Sequence, residues 1–236
     1  MKYISLPPAI GQRRLSFYLA MEEYVARETH EEAFFIWQVE PSVIFGRNQS
    51  IENEVNTSYC RQHGIQMYRR KSGGGCVYAD MGNLMLSYVS KEENVNMAFY
   101  TFMNMILLTL RKMGIDAVST SHNDVLIDGR KVSGSACYHL QGRSIVHSTL
   151  LYDTQMENMV SAITPGEEKL QRKGIQSVRQ RITLLRDHCQ LSLPETKDLI
   201  RTTLCNGEML LTMEDTKKIE LIETSYLKNE FIHLIS

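Results

Sequence analysis

The sequence predicts an α+β fold in which mixed and antiparallel β-sheets are flanked by helices. Three observations carry this expectation. Strand-like and helix-like segments alternate without the regular βαβ spacing of an all-parallel sheet. Asp128-Gly129, set between Val125-Leu126-Ile127 and Arg130-Lys131-Val132, is a strong hairpin signal and demands antiparallel neighbours. One long run, Met97 to Met113, has helical apolar spacing. The chain has 236 residues, 43% of them hydrophobic, so it can bury a sizeable core. No repeat or low-complexity linker divides it, and residues 1–236 read as one domain.

The elements follow in order. Phe17, Ala20, Met21, Tyr24 and Val25 predict a helix over Ser16–Arg27, with Glu22 and Glu23 on its solvated side. Ala33–Trp37 and Ser42–Phe45 read as strands around Glu40-Pro41, and Gly46-Arg47-Asn48-Gln49 ends the second. Asn53–Gly64 is polar and reads as one helix closing at Gly64. Gln66–Arg69, Cys76–Tyr78 and Leu84–Val89 read as strands. Apolar side chains crowd much of the circumference of Met97–Met113, which predicts deep burial, with the methionines as core filler and Gly114 as C-cap. Asp128-Gly129 suits a type I′ turn, and Ile145–Tyr152 is a further strand. Leu170–Gly174 and Gln176–Leu185 read as helical, and the last fifty residues as short helices with one apolar stretch.

Composition excludes several classes. Lys and Arg number 26 against 27 Asp and Glu, a net charge of −1, which argues against nucleic acid as a partner. Any cationic site is therefore local. The five cysteines form no CxxC pair and are odd in number, which points to neither a disulfide framework nor a zinc site but to a reducing compartment. The N-terminus has no long apolar run, and no segment reaches the roughly 20 apolar residues that span a bilayer. A cytoplasmic protein without a membrane partner is expected.

The chemistry-bearing segment is Arg69-Arg70-Lys71-Ser72-Gly73-Gly74-Gly75-Cys76-Val77-Tyr78. Cations, a hydroxyl and three consecutive glycines read either as an anion cradle or as a flexible turn. It is neither a Walker A loop nor a dinucleotide fingerprint, because the lysine placement and glycine spacing of both are missing. A second block, Lys131-Val132-Ser133-Gly134-Ser135-Ala136, sets a lysine before small residues on a strand. There a ligand could lie against the backbone and an ammonium could meet developing negative charge, although an exposed strand lysine has the same appearance. Asn123-Asp124 suits either a phosphate-bridging metal or a strand-entry turn. His147, with Ser148 and Thr149, suits a ligand wall or a satisfied core histidine. Cys76 and Cys137 lie beside small-residue loops, where buried apolar roles compete with nucleophilic ones. Lys173 to Arg181 adds further cations, with Ser177 and Arg181 sharing one helix face.

Taken in this order and spacing, these blocks resemble the lipoate–protein ligase A family of the biotin/lipoate ligase superfamily. The likeness runs from about Ser16 to Leu185 through Phe17 to Glu23, Ile44 to Gln49, Glu54-Val55-Asn56, Arg69 to Asn83, Asn123-Asp124, Arg130 to Ala136, His147 to Leu151 and Lys173 to Arg179. The resemblance implies an ATP-dependent reaction: lipoate is activated to lipoyl-AMP and its acyl group passes to a lysine of an acceptor lipoyl domain. Acceptors of the family kind are a 2-oxoacid dehydrogenase acyltransferase subunit or a glycine-cleavage carrier protein. By the family pattern Arg70, Gly75, Cys76, Val77 and Tyr78 would contact the nucleotide. Lys131 would touch both the α-phosphate and the lipoyl carbonyl, and would be the catalytic residue. Ser72, Gly73, Gly74, Ser133, Gly134 and His147 would shape the lipoate slot, and Asn123 and Asp124 would hold Mg²⁺.

The chain also departs from the family pattern. Cys76 stands where alanine is usual, Ser148 where glycine is usual, and Lys71 replaces a common serine; Tyr138 replaces an arginine of some relatives. The small C-terminal accessory domain of longer relatives is expected to be absent, which leaves room for a separate accessory protein. Two rival readings remain. One is an octanoyl- or lipoyl-transferase of the same fold with a cysteine nucleophile, although Ser119-Thr120-Ser121-His122-Asn123-Asp124 holds no cysteine where that nucleophile lies in such relatives. The other is a non-catalytic lipoyl-binding relative.

Overall fold

The structure, a computed structural model, describes residues 1–163 and 181–233. Two sheets carry the fold. The larger contains β1 (Lys2–Ser5), β2 (Ala33–Trp37), β6 (Asn83–Ser90), β7 (Val118–Ser119), β8 (Asp124–Ile127), β9 (Arg130–Leu140), β10 (Arg143–Leu151) and β11 (Gly207–Leu210). Their order is β11-β1-β2-β6-β10-β9-β8-β7, parallel from β11 to β2 and antiparallel beyond. The smaller contains β3 (Ser42–Phe45), β4 (Gln66–Arg69) and β5 (Val77–Ala79), ordered β4-β3-β5. This is the mixed α+β arrangement that the sequence predicts.

Two hairpins build the middle of the larger sheet. Asp128 (φ 50°) and Gly129 (φ 74°) join β8 to β9 with both central residues at positive φ, as a type I′ turn requires. Gln141 and Gly142 repeat that geometry between β9 and β10. Alternation along β10 then sends Val146 and Leu150 to one face and His147, Thr149 and Leu151 to the other. The first face packs on α4 (Val95–Lys112), with α6 (Leu193–Leu204) beside it. The second faces α1 (Leu15–Glu28), which α7 (Met213–Tyr226) covers. The smaller sheet, α3 (Thr57–Gln62) and α5 (Met156–Ala162) enclose a third apolar cluster.

Several local expectations are corrected. Glu22 and Glu23 are fully buried, because α1 is sandwiched between sheet and α7 and has no solvated side there. The polar helix expected over Asn53–Gly64 is two, α2 (Ile51–Glu54) and α3, since the Asn56 side chain caps α3 by accepting from the N–H of Tyr59 at 3.0 Å. Helix α4 is one-sided. Ala98, Phe102, Ile106 and Leu110 are buried, whereas Met97, Tyr100 and Leu108 are exposed. The strands β1 and β11 lack a sequence signal, being short and paired across almost the whole chain. The helix expected over Leu170–Gly174 and the first half of the one over Gln176–Leu185 lie outside the described residues; in the second half the expectation is corrected, because Ile182 bridges Lys131 in parallel and Thr183 and Leu184 are not helical.

The chain leaving β4 is stapled by Arg69, which is 1% exposed. Its guanidinium donates to the carbonyls of Gly46 (3.0 Å), Arg47 (2.9 Å), Gln49 (2.8 Å) and Ile232 (2.9 Å) and lies over the Phe45 ring. Ile232 belongs to α8 (Asn229–His233), so this one side chain ties the β3 turn to the last described helix. Arg69→Ala strips four carbonyls of their donor. A loss of roughly 3 kcal/mol or more is expected in urea denaturation, at about 1–3 kcal/mol per buried acceptor left unpaired.

Candidate active site

A cavity of about 530 Å³ opens between the larger sheet, α1 and the smaller sheet. Its closed end is apolar, with Leu19, Trp37, Ile44 and Met85 all buried. Its open end carries Lys131, Asp124, His122 and Arg181. Tyr18 stacks on Trp37 and fixes the wall at the closed end.

Local chain geometry aims Lys131. The β8–β9 register pairs Val125 with Ser133 but Leu126 with Lys131, so Val132 is an extra residue in a β-bulge. A bulge breaks alternation and re-aims the side chain before it. Lys131 thereby folds back over Gly134, where an added Cβ would meet its Nζ at 2.7 Å. The ammonium lies 2.8 Å from Asp124 Oδ1, a half-exposed pair at the rim. The Lys131 carbonyl accepts from the N–H of Thr183 at 2.9 Å, which holds the strand from its other side.

The glycine loop is built around Arg70. This guanidinium is 4% exposed and donates to the carbonyls of Ile44, Gly73 and Gly75 and to Ser72 Oγ. Burial lowers its pKa to about 10, so it stays cationic at neutral pH. The loop can fold over it only because Gly46 lacks a Cβ, which would sit 2.2 Å from the Gly74 carbonyl oxygen. Gly74 itself has φ +92°. Among the described residues no acceptor is bonded to the N–H groups of Gly73, Gly74 or Gly75. Carbonyls are tied inward and donors are left over, the condition for an anion nest. The three cations of the segment therefore do not form an open cationic patch. Lys71 bonds Glu23 at 2.5 Å and lies over the Tyr226 ring, while Arg69 is the staple described above.

His147 joins loop to scaffold. Its Nε2 lies 2.7 Å from Ser72 Oγ, and its Nδ1 lies 3.0 Å from Glu22 Oε2. Arg70 Nε donates to Ser72 Oγ at 2.9 Å, so the Ser72 hydroxyl donates to Nε2 and Nδ1–H donates to Glu22. Ser87 Oγ donates to Glu22 Oε1 at 2.6 Å, and Trp37 Nε1 donates to Ser87 at 2.9 Å.

The structure thus brings Arg70, Gly74, Gly75, Cys76, Val77, Tyr78, Asp124, Lys131, Gly134 and His147 to one cavity. Four predicted residues stand off its wall. Ser72 is spent on His147 and Arg70, and Gly73 gives its carbonyl to Arg70. Ser133 is buried on the α4 side of β9, 3.4 Å from Ser148 Oγ, because the bulge sets it opposite Lys131. Asn123 contributes backbone only. Of the Lys173–Arg181 segment only Arg181 is described, and it lines the cavity. Trp37, Met85 and His122 were not singled out as site residues in the sequence, since a core strand and a turn are their ordinary settings.

Burial pushes the thiols of Cys76 and Cys137 up to about 12. At pH 8 only roughly 10⁻⁴ of each is thiolate, so iodoacetamide should alkylate both far more slowly in the folded than in the unfolded chain, read by peptide mass. Glu22→Ala leaves His147 Nδ1–H and Ser87 Oγ–H buried without an acceptor. A cost of about 2–4 kcal/mol is expected in the denaturant midpoint, with a smaller cost for Glu22→Gln, which keeps an oxygen.

Comparison with known proteins agrees with this geometry. The chain is 38% identical over 167 residues to the lipoate-protein ligase LplJ of Bacillus subtilis, covering 70% of this chain and 50% of that protein. It is 35% identical over 211 residues to lipoate–protein ligase 1 of Staphylococcus aureus, covering 86% and 64%. The chain thus spans between half and two-thirds of these curated relatives. A structure of an archaeal lipoylation system from Thermoplasma acidophilum, a bi-partite lipoate protein ligase with its E2 lipoyl domain, superposes with a TM-score of 0.84 at 26% identity, covering 100% of this chain and 97% of that one. The model of the lipoyl protein ligase A/B catalytic domain matches residues 15–205, and the chain belongs to that family.

Proposed function

We propose that this chain activates lipoate with ATP and transfers the lipoyl group to a lysine of an acceptor lipoyl domain. One observation carries the reading: a single cavity joins a closed apolar end to a glycine loop whose N–H groups bond no acceptor among the described residues, and to Lys131 at its mouth. An acyl chain fits the apolar end, where Leu19, Trp37, Ile44 and Met85 exclude water. Its carboxylate then lies toward Lys131 and the glycine loop.

Amide formation from a free carboxylate needs activation. In the first step a lipoate carboxylate oxygen attacks the α-phosphorus of ATP and pyrophosphate leaves. Lys131 and the N–H groups of the glycine loop stabilise the charge that develops there. In the second step an acceptor lysine amine attacks the acyl carbonyl carbon, AMP leaves, and the amine loses its proton. Lys131 then meets the oxyanion. Strand β5 is an edge strand, so one of its backbone edges stays outside the ladder and suits a nucleotide base beside Cys76 to Tyr78.

Mg²⁺ bound between phosphates needs only one or two protein carboxylates, and Asp124 at the cavity mouth fits that need. When bound, the metal neutralises phosphate charge. Among the described residues no group of three or more His, Cys, Asp or Glu could hold a metal without the nucleotide. The transferase alternative needs a reactive thiolate, and the raised pKa values of Cys76 and Cys137 weigh against it. The Lys131–Asp124 pair weighs against a purely binding role. Among the described residues no helix is long and apolar enough to cross a membrane.

Pyrophosphate release and intact acceptor mass test the reading. The chain is incubated with ATP, Mg²⁺, lipoate and apo-lipoyl domains from a dehydrogenase acyltransferase subunit or a glycine-cleavage carrier protein. Parallel samples include an accessory protein, because the archaeal ligase is bi-partite. Lipoate-dependent pyrophosphate release is expected; no release, with a thioester on Cys76 or Cys137, overturns the proposal. Lys131→Ala should lower turnover by about two orders of magnitude or more with little change in stability, since its ammonium is partly exposed and acts on the transition state.

A further inference from the structure

We infer that Asn123 is a positioning residue that acts through its left-handed backbone, aiming Asp124 and His122 at the cavity mouth, and not through its amide as a ligand. Its φ is +60°, a region where asparagine is far better tolerated than other residues bearing a Cβ. The turn around it is closed by backbone bonds. The Asn123 N–H donates to the Thr120 carbonyl at 3.3 Å, and its carbonyl accepts from the N–H of Ser135 at 3.0 Å. Thr120 Oγ1 accepts from the N–H groups of His122 (3.2 Å) and Asp124 (3.3 Å). The N–H of Thr120 donates to the Asp124 carbonyl at 2.9 Å.

The left-handed step turns the chain into β8 at Asp124, which sits opposite Gly134 and reaches Lys131 Nζ at 2.8 Å. His122 and Asp124 line the cavity, and Asn123 between them does not. Among the described residues its side-chain amide makes no hydrogen bond. A residue that resists positive φ would flatten the turn, draw Asp124 away from Lys131 and leave the ammonium without its carboxylate.

The test compares Asn123→Gly, Asn123→Ala and Asn123→Asp in the full chain. Glycine accepts the left-handed step and lacks any side-chain ligand; alanine resists it; aspartate offers the better metal ligand. Two readouts are used, the first independent of activity. The rate at which acetic anhydride acetylates Lys131, read by peptide mass, should rise severalfold in Asn123→Ala and match the wild type in Asn123→Gly. The second rests on the ligase reading: kcat for pyrophosphate release should fall about tenfold in Asn123→Ala, with KM for lipoate changed less than twofold, and recover in Asn123→Gly. Equal loss in glycine and alanine variants, with a raised Mg²⁺ requirement and rescue by aspartate, would show a side-chain ligand and overturn the inference. Unchanged Lys131 labelling in Asn123→Ala also overturns it. Labelling as expected in a wild-type chain that releases no pyrophosphate upholds the inference and counts against the ligase reading instead.

Discussion

The architecture depends on a carboxylate buried in the middle of the molecule. Glu22 has no exposed surface, and burying an anion costs several kcal/mol unless its oxygens are well bonded. Here both are used: Ser87 meets Oε1, and His147 meets Oε2. Satisfying that one group fixes α1 against β6 and β10, then passes through His147 to Ser72 and Arg70. The same chain of bonds holds the Trp37 indole through Ser87. The closed end of the cavity and the glycine loop are therefore positioned by one fully bonded polar network, the kind that specifies a unique arrangement when no member is left over.

Glu23, the next residue, does the corresponding work on the other side of the helix. Successive residues on a helix point about 100° apart, so Glu22 meets the sheet while Glu23 meets α7 and the chain after β4. There it accepts from Lys71, Arg27 and the Tyr226 hydroxyl. Burial keeps the Tyr226 phenol well above its ordinary pKa, so it remains a donor. Two consecutive loop residues, Lys71 and Ser72, are thus anchored on two consecutive glutamates, Ser72 by way of His147. Gly74 and Gly75, which follow, are exposed beside the cavity, while the residues before them are anchored.

This arrangement changes what a run of cations means. Arg69, Arg70 and Lys71 carry charge into the protein and spend it on carbonyls and a buried carboxylate. Three cations in a row look like an anion site, but their guanidinium and ammonium groups turn inward, and under the proposed function anion binding falls to the backbone they orient and to Lys131 across the cavity. Much of the site was legible in the sequence, because glycine runs, a lysine before small residues and a histidine on a strand each have a local pattern. Ser133 and Asn123 stand off the cavity wall for one reason each. A β-bulge at Val132 shifts which side chains share a face, and the left-handed step at Asn123 turns the chain so that His122 and Asp124 line the cavity while Asn123 does not.

By itself the sequence determined the elements whose causes are local: the type I′ turn at Asp128-Gly129, the alternation of β10, the span of α1 and a glycine run able to take the positive φ seen at Gly74. Family membership was also legible there, since it rests on the order and spacing of those blocks. Only the tertiary structure decided that Glu22 and Glu23 are interior, that β1 pairs with β11 across the length of the chain, and that the loop cations turn inward. The physical reason is common to all three. Burial of a polar residue depends on what a distant segment places over it, and no window of sequence around Glu22 contains α7, His147 or Ser72.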